Sequence, residues 1–132
     1  MTEIIHKASC MCGEIELEAT GRPNYAEYCH CKTCQKSSGS SFMVWVVFDK
    51  DKVRTIKGQL SLYNSSANLK RGFCGNCGSN MSIHTEKCFD IPIGVLEDPD
   101  QIEITQHIWV KRALKHVYLD DGLPKYDEGA PN

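Results

Sequence analysis

The clearest periodic pattern in the chain is an alternation of charged and apolar residues over positions 14–19. A period of two predicts a β-strand that places Ile15, Leu17 and Ala19 on one buried face. The longest apolar run, at positions 42–48, is too short to cross a bilayer and predicts a second buried strand. Short runs rich in β-branched and aromatic residues, bounded by Gly, Pro, Asn, Asp and Ser, predict further strands at 53–56, 60–63, 80–84, 89–95 and 102–110.

Helical patterns are weak, because no segment repeats apolar residues at i, i+3, i+4 and i+7 over three turns. One or two helical turns are predicted after Cys34, ending at Gly39. The chain is therefore predicted to be mainly β, with short strands in a small open barrel or a pair of packed sheets. Its 132 residues fit one domain, which we place at 1–121, and the Gly- and Pro-rich segment 122–132 is predicted to be a loosely ordered C-terminal tail.

Composition and charge exclude several classes of function. The formal net charge of -2 lacks the basic excess that a phosphate-backbone binder needs, so we expect no nucleic-acid partner. Residues 1–9 lack the apolar core of a secretory signal, and we expect a cytoplasmic protein with no membrane partner. In that compartment the 8 cysteines indicate metal or thiol chemistry rather than disulfides. The oligomeric state is not predicted.

All cysteines except Cys88 lie in three short segments. In the segment CGNCG at 74–78, a two-residue gap lets two thiolates on one tight turn point at a common metal, with glycine relieving the crowding. The segment CMCG at 10–13 can do the same where the chain bends before the strand at 14–19. Reduced core thiols or a redox pair are the alternatives. The four residues that would complete a tetrahedral zinc site are Cys10, Cys12, Cys74 and Cys77.

The middle segment, at 29–34, holds three closely spaced thiols, and no other segment completes it. Cys29, Cys31 and Cys34 therefore form a candidate open zinc site, because catalytic zinc commonly keeps three protein ligands and leaves a position for water or substrate. The alternative is a second structural site closed by Cys88 or by a histidine. Otherwise Cys88 is interpreted as a lone core thiol, and the histidines outside the cysteine segments are interpreted as surface or core residues.

The same residues resemble the glutathione-dependent formaldehyde-activating enzyme family, which includes the centromere protein V domain. The resemblance covers about residues 8–126. It rests on three motifs in the family's order and spacing: C-x-C-G at 10–13, Y-C-H-C-x-x-C-Q-K-x-x-G at 28–39, and R-x-F-C-x-x-C-G-S at 71–79. The segments 93–99 and 107–110 are also similar to the family's carboxy-terminal half.

The resemblance implies a small β-tent fold with two zinc ions. It also implies a zinc-dependent carbon–sulfur lyase, which makes or breaks a thiol–aldehyde adduct such as S-hydroxymethylglutathione or another small thiol conjugate. The alternative is a non-catalytic zinc domain that serves as a thiol-binding or protein-interaction module. In the family's arrangement the structural ion is bound by Cys10, Cys12, Cys74 and Cys77, and the catalytic ion by Cys29, Cys31 and Cys34.

Substrate handling is less well specified by the sequence. Three thiolates around one Zn²⁺ leave a net charge of -1, which favours holding a substrate thiolate over polarising a carbonyl. His30, Glu27 and His107 are the candidate proton-transfer groups, and the sequence does not choose among them. Lys36 and Arg71 adjoin cysteine segments and would suit the carboxylates of a small anionic thiol adduct. The alternative is a solvated lysine and an arginine paired with a surface carboxylate.

Overall fold

Short strands dominate the computed structural model, which describes residues 3–131. In chain order the elements are β1 (Ile5–Ser9), β2 (Glu16–Thr20), β3 (Tyr25–Cys29), α1 (Lys32–Ser38), β4 (Met43–Asp49), β5 (Val53–Lys57), β6 (Ser61–Asn64), β7 (Lys70–Phe73), β8 (Asn80–His84), β9 (Cys88–Pro92) and β10 (Gln106–Ile108). Single 3-10 turns lie at Lys50–Lys52, Ile93–Val95, Pro99–Gln101 and Val110–Arg112.

The strands form two sheets. One sheet has three strands in the order β1-β2-β5, and the other has seven strands in the order β10-β3-β4-β9-β8-β7-β6. Neighbouring strands within both sheets are antiparallel except β10 and β3, which are parallel. The prediction of a mainly β fold built from short antiparallel strands is confirmed.

The main core is made by side chains from both sheets. The predicted inward face of β2 is confirmed, because Leu17 is 1% exposed and Ala19 is fully buried. They belong to the same buried cluster as Val46 and Phe48 of β4 and Ile91 of β9. Since side chains alternate across a strand, the opposite face of β4 and β9 is left for the candidate site.

The helix α1 is short and ends where the sequence predicts. Gly39 adopts a left-handed φ of 68°, and its N–H donates to the carbonyl of Gln35 at 2.8 Å. Glycine tolerates this conformation because it has no Cβ. Within residues 3–131, no helix is long and apolar enough to cross a membrane.

Some strands depend on contacts that the hydrophobic pattern does not contain. The pattern misses β1, β3 and β7, and in β3 the charged residue Glu27 interrupts the apolar run although it is buried. The predicted strand at 102–110 is too long. Only Gln106–Ile108 pairs with β3, because Trp109 turns the chain with a left-handed φ of 58°. The predicted strand at 89–95 ends at Pro92, and a 3-10 turn follows it.

The segment predicted as a C-terminal tail lies beside β10. The N–H of His107 donates to the carbonyl of Pro124 at 2.9 Å, and the N–H of Tyr126 donates to the carbonyl of His107 at 3.0 Å. Farther along, the N–H of Trp109 donates to the carbonyl of Glu128 at 3.1 Å. These hydrogen bonds join the segment to the edge of the seven-stranded sheet. The division of the chain at residue 121 stays a prediction.

Candidate metal centres

The turn after β1 meets the turn after β7 at a cluster of four thiols. Gly13 and Gly78 close these turns with positive φ angles of 82° and 80°. The N–H of Met11 in one turn donates to the Oγ of Ser79 in the other at 3.0 Å. The Sγ atoms that come together, all within 4.8 Å of one another, belong to Cys10, Cys12, Cys74 and Cys77.

The spacing of these sulfurs fits a tetrahedral zinc ion. Four sulfurs at about 2.3 Å from one zinc would lie about 3.8 Å apart. The Sγ of Cys12 is 3.6 Å from that of Cys10 and 3.7 Å from that of Cys74. Hydrogen bonds from Ser79 lower the pKa of Cys77 to about 5. The donor set therefore matches a zinc site of four thiolates.

A second cluster forms where β3 gives way to α1. Cys29 ends the strand, and Cys31 is the N-cap of the helix, where its Sγ accepts the N–H of Cys34 at 3.3 Å. A sulfur thus takes the position that a Ser or Asp oxygen usually occupies at a helix N-terminus. The Sγ of Cys29 lies 3.4 Å from that of Cys31 and 3.3 Å from that of Cys34. Zinc-bound thiolates lie farther apart, so binding would spread these sulfurs by roughly 0.4 Å.

Hydrogen bonds in this second cluster favour a thiolate at Cys31. The thiols of Cys29 and Cys34 and the backbone N–H of Cys34 lower the pKa of Cys31 to about 2. The hydrogen bond that Cys29 donates to Cys31 raises the pKa of Cys29. The indole Nε1–H of Trp45 donates to the Sγ of Cys34 at 3.3 Å. In the sequence, Trp45 is recognisable only as part of the apolar run at 42–48, and no pattern there predicts its hydrogen bond to Cys34.

The second cluster remains a group of three among the described residues. Cys88 lies at the start of β9 opposite Asp49 and joins neither cluster. Of the histidines, His6 contacts Asp98, His84 contacts Ser82 and His116 contacts Ser41. No cysteine or histidine of residues 3–131 lies where it would close the three-thiol cluster, as the alternative prediction required.

His30 and His107 lie on the opposite face of β3 from Cys29. His107 pairs with Tyr28 and stacks on its ring, with ring centroids 4.4 Å apart. The Nε2 of His30 is 2.9 Å from the Nδ1 of His107. Burial, followed by the nearby His107, lowers the pKa of His30. Of the three proton-transfer candidates, only Glu27 shares the strand face of Cys29.

Polar side chains lie on the same face of the seven-stranded sheet as the three-thiol cluster. Glu27 lies opposite Trp45 and accepts a hydrogen bond from Gln106 at 2.7 Å, and burial raises its pKa. Asp90 lies on the same face, two strands away, and burial raises its pKa to about 7. Arg71 donates to Ser37 of α1 at 3.3 Å and to Ser65 at 3.0 Å.

Similar proteins were found by sequence. A family model described as glutathione-dependent formaldehyde-activating enzyme matches residues 5–112. An uncharacterized lyase of Schizosaccharomyces pombe is 32% identical over 76 residues, which are 58% of this chain and 55% of that protein. A Penicillium rubens protein named as a candidate glutathione-dependent formaldehyde-activating enzyme is 32% identical over 85 residues, which are 61% of this chain and 44% of that protein. The chain spans about half the length of these curated relatives.

A solved structure has the same fold. The crystal structure of a Rhodobacter sphaeroides protein matches this chain with a TM-score of 0.58 at 18% sequence identity. The match covers 91% of this chain and 98% of that chain. At this identity the likeness concerns the fold alone.

Proposed function

Because the chain belongs to the glutathione-dependent formaldehyde-activating enzyme family, we propose that it is a zinc-dependent carbon–sulfur lyase that makes or breaks an adduct between a small thiol and an aldehyde. One observation carries the proposal. Cys29, Cys31 and Cys34 bring three sulfurs together with no fourth ligand from residues 3–131, and they are separate from the complete group of four thiols. Catalytic zinc sites commonly have three protein ligands and one free position.

The two clusters would hold ions with different roles. The four-thiol cluster suits a structural zinc ion, and the three-thiol cluster suits a catalytic one. When bound there, zinc would supply an electrophilic centre able to hold a substrate sulfur as its thiolate. The protein's own donors would share the negative charge of the ligand sulfurs, since the indole of Trp45 and the N–H of Cys34 each donate to one.

Arg71 is the group best placed to recognise an anionic substrate. It is half-buried, it is tethered to α1 through Ser37, and no carboxylate of residues 3–131 forms an ion pair with it. A guanidinium suits bidentate recognition of a carboxylate. Lys36 is exposed on the same helix and would add a second positive charge. Glutathione and its hydroxymethyl adduct carry such carboxylates.

The net charge and the thiols of the protein support a class of partner and a cellular location. A net charge of -2 supports a small-molecule partner over nucleic acid. Thiolate zinc sites need reduced cysteines, which supports a cytoplasmic location. The location and the class of thiol stay predictions.

The test is exchange NMR with ¹³C-formaldehyde and a panel of thiols, because the free adducts form spontaneously and only their rate of interconversion reports catalysis. The panel contains glutathione, N-acetylcysteine and mercaptoethanol. The zinc-loaded wild type and the Cys88→Ala control are expected to accelerate exchange for at least one thiol, and Cys31→Ser is not.

A different outcome would support the non-catalytic alternative. Binding of thiols with two zinc ions per chain and no acceleration for any member of the panel would indicate a thiol-binding module. Acceleration that survives in Cys31→Ser would contradict the assignment of the three-thiol cluster as the reactive site.

A further inference from the structure

Three side chains form a continuous chain of hydrogen bonds behind the three-thiol cluster. His30 lies between Cys29 and Cys31 in the sequence and is fully buried. Its Nε2 is 2.9 Å from the Nδ1 of His107, which is 3% exposed. The Nε2 of His107 is 2.7 Å from the Oδ2 of Asp121, which comes just before the segment that runs beside β10. A path of two hydrogen bonds thus connects the ring of His30, the residue between two thiols of the cluster, to the molecular surface.

The positions of the protons along this path determine which group donates in each hydrogen bond. The hydrogen bond from His107 holds the pKa of Asp121 at about 2, so its carboxylate only accepts. The Nε2 of His107 donates to that carboxylate. The buried Nδ1 of His30 has no hydrogen-bond partner among the described residues, so a proton there would be left without an acceptor. The proton of His30 therefore lies on Nε2, which donates to the Nδ1 of His107.

Both ends of the path are held independently of the rings. The backbone N–H of His30 donates to the carbonyl of Ile108 at 3.1 Å, and the carbonyl of His30 accepts the side chain of Gln35 at 2.8 Å. At the other end, the Oδ1 of Asp121 accepts the N–H of Leu123 at 3.1 Å. The two imidazole rings therefore lie between two anchored ends, the backbone of His30 and the carboxylate of Asp121.

We propose that Asp121 and His107 are positioning residues that hold His30 in one tautomer and orientation, and thereby keep Cys29 and Cys31 in the geometry that binds metal. The inference rests on the proposed function, since it requires a metal ion at the three-thiol cluster. Hydrogen-bond partners behind metal ligands commonly change metal affinity by about 10–100-fold. Here His107 and Asp121 act on the two ligands indirectly, through His30, which lies between them in the chain.

If the two histidines only filled space in the core, a mutation of Asp121 would have a different effect. Removing the exposed carboxylate of Asp121 would then leave metal binding unchanged, because the side chain is 38% exposed and contributes little to the core. A positioning role instead predicts a loss confined to one metal site. It also predicts rescue by a side chain that still accepts a hydrogen bond.

The experiment compares Asp121→Ala, Asp121→Asn and Asp120→Ala by chelator competition on the metal-loaded protein. Asp120 is the matched control, because it carries the same charge one residue earlier and makes no side-chain hydrogen bond with the described residues. Asp121→Ala is expected to weaken metal binding at the three-thiol cluster about tenfold. The metal affinity of the four-thiol cluster and the melting temperature should not change. Asp121→Asn should stay within about threefold of wild type, since its amide oxygen still accepts, and Asp120→Ala should match wild type.

Long-range ¹H–¹⁵N NMR of the imidazole rings provides a second readout. Wild type is expected to show the Nε2–H tautomer for both His30 and His107. An Nδ1–H tautomer of His30 would overturn the inference. Unchanged metal affinity of the three-thiol cluster in Asp121→Ala, with a wild type that binds two metal ions, would also overturn it. A wild type that binds one metal ion would contradict the proposed function itself, and this inference with it.

Discussion

The two cysteine clusters are assembled in opposite ways. The four-thiol cluster joins Cys12 to Cys74, which are 62 residues apart, and so connects the hairpin of the three-stranded sheet to the seven-stranded sheet. The three-thiol cluster comes from the segment 29–34 alone. Cys10 and Cys74 belong to the main core, whereas Cys29 and Cys34 form a smaller cluster with Trp45 on the other sheet face.

This difference separates stability from chemistry. A metal ion that joins distant turns closes a long loop and contributes directly to folding free energy. A metal ion held by one short segment closes almost no loop, so its site can lack a ligand without loss of the fold. We therefore expect mutations in the two clusters to have different consequences.

The largest expected effect is on the four-thiol cluster. Cys74→Ser or Cys12→Ser should cost at least about 3 kcal/mol, because a structural zinc contributes its binding free energy to folding. A loss of that size should lower the melting temperature by roughly 10 °C or prevent soluble expression. Thermal melts by circular dichroism and zinc analysis measure both effects, with Cys88→Ala as the control. A Cys12→Ser protein that melts like wild type and keeps its zinc would contradict the pairing.

The next effect is selective for the three-thiol cluster. Cys31→Ser should retain the fold, because serine is a favourable N-cap for α1. It should lose one metal equivalent of two, and all lyase activity. Metal analysis by mass spectrometry compares it with Cys88→Ala, which should keep both ions. Equal loss of metal in Cys88→Ala would show that a fourth cysteine closes the site.

A third prediction concerns the buried carboxyl group on the same sheet face as Cys29. The folded-state pKa of Asp90, about 7, lies above its unfolded value, so the folded protein binds the extra proton. Stability from this group is therefore present below about pH 4 and is lost as the pH rises to about 7. Asp90→Asn should match wild type at pH 4 and exceed its stability by about 1–3 kcal/mol at pH 8, less than the full pKa difference implies because the side chain is only half-buried. Urea unfolding at both pH values measures this, with the exposed Asp100→Asn as the control; equal stabilities at pH 8 would contradict it.

The smallest expected effect is on substrate recognition. Arg71→Ala should raise the KM for a carboxylate-bearing thiol about tenfold, since a hydrogen bond to a charged group contributes about 1.5–3 kcal/mol. It should leave the KM for neutral mercaptoethanol unchanged. Arg54→Ala is the matched control, because Arg54 lies on β5 in the other sheet and pairs with Glu18. Equal effects on anionic and neutral thiols would remove the charge argument.

Some of the fold is predictable because its causes are local. The alternation at 14–19 predicts the buried face of β2 because side chains alternate within the strand itself. The end of α1 is predictable from Gly39, which alone supplies the left-handed turn. In contrast, β3 contains the buried Glu27, whose hydrogen bond to Gln106 comes from a strand 79 residues away. No local pattern encodes that partner.

The same distinction applies to the site. The three cysteine segments are visible in the sequence, because two thiols on one turn need only a short gap and a glycine. The donor to Cys34 is Trp45, and the path behind His30 ends at Asp121, which is 91 positions away in the chain. These contacts arise from strand pairing and from the segment beside β10.

The sequence by itself determined the mainly β class, the family, and the grouping of seven cysteines into three segments, because each depends on spacing within a few residues. Only the tertiary structure decided which segments meet, that the cluster of Cys29, Cys31 and Cys34 gains no fourth ligand among residues 3–131, and which side chains surround it. The physical reason is that these features depend on the register of strands distant in the chain. That register is set by burial and hydrogen bonding across the whole sheet rather than by any one segment.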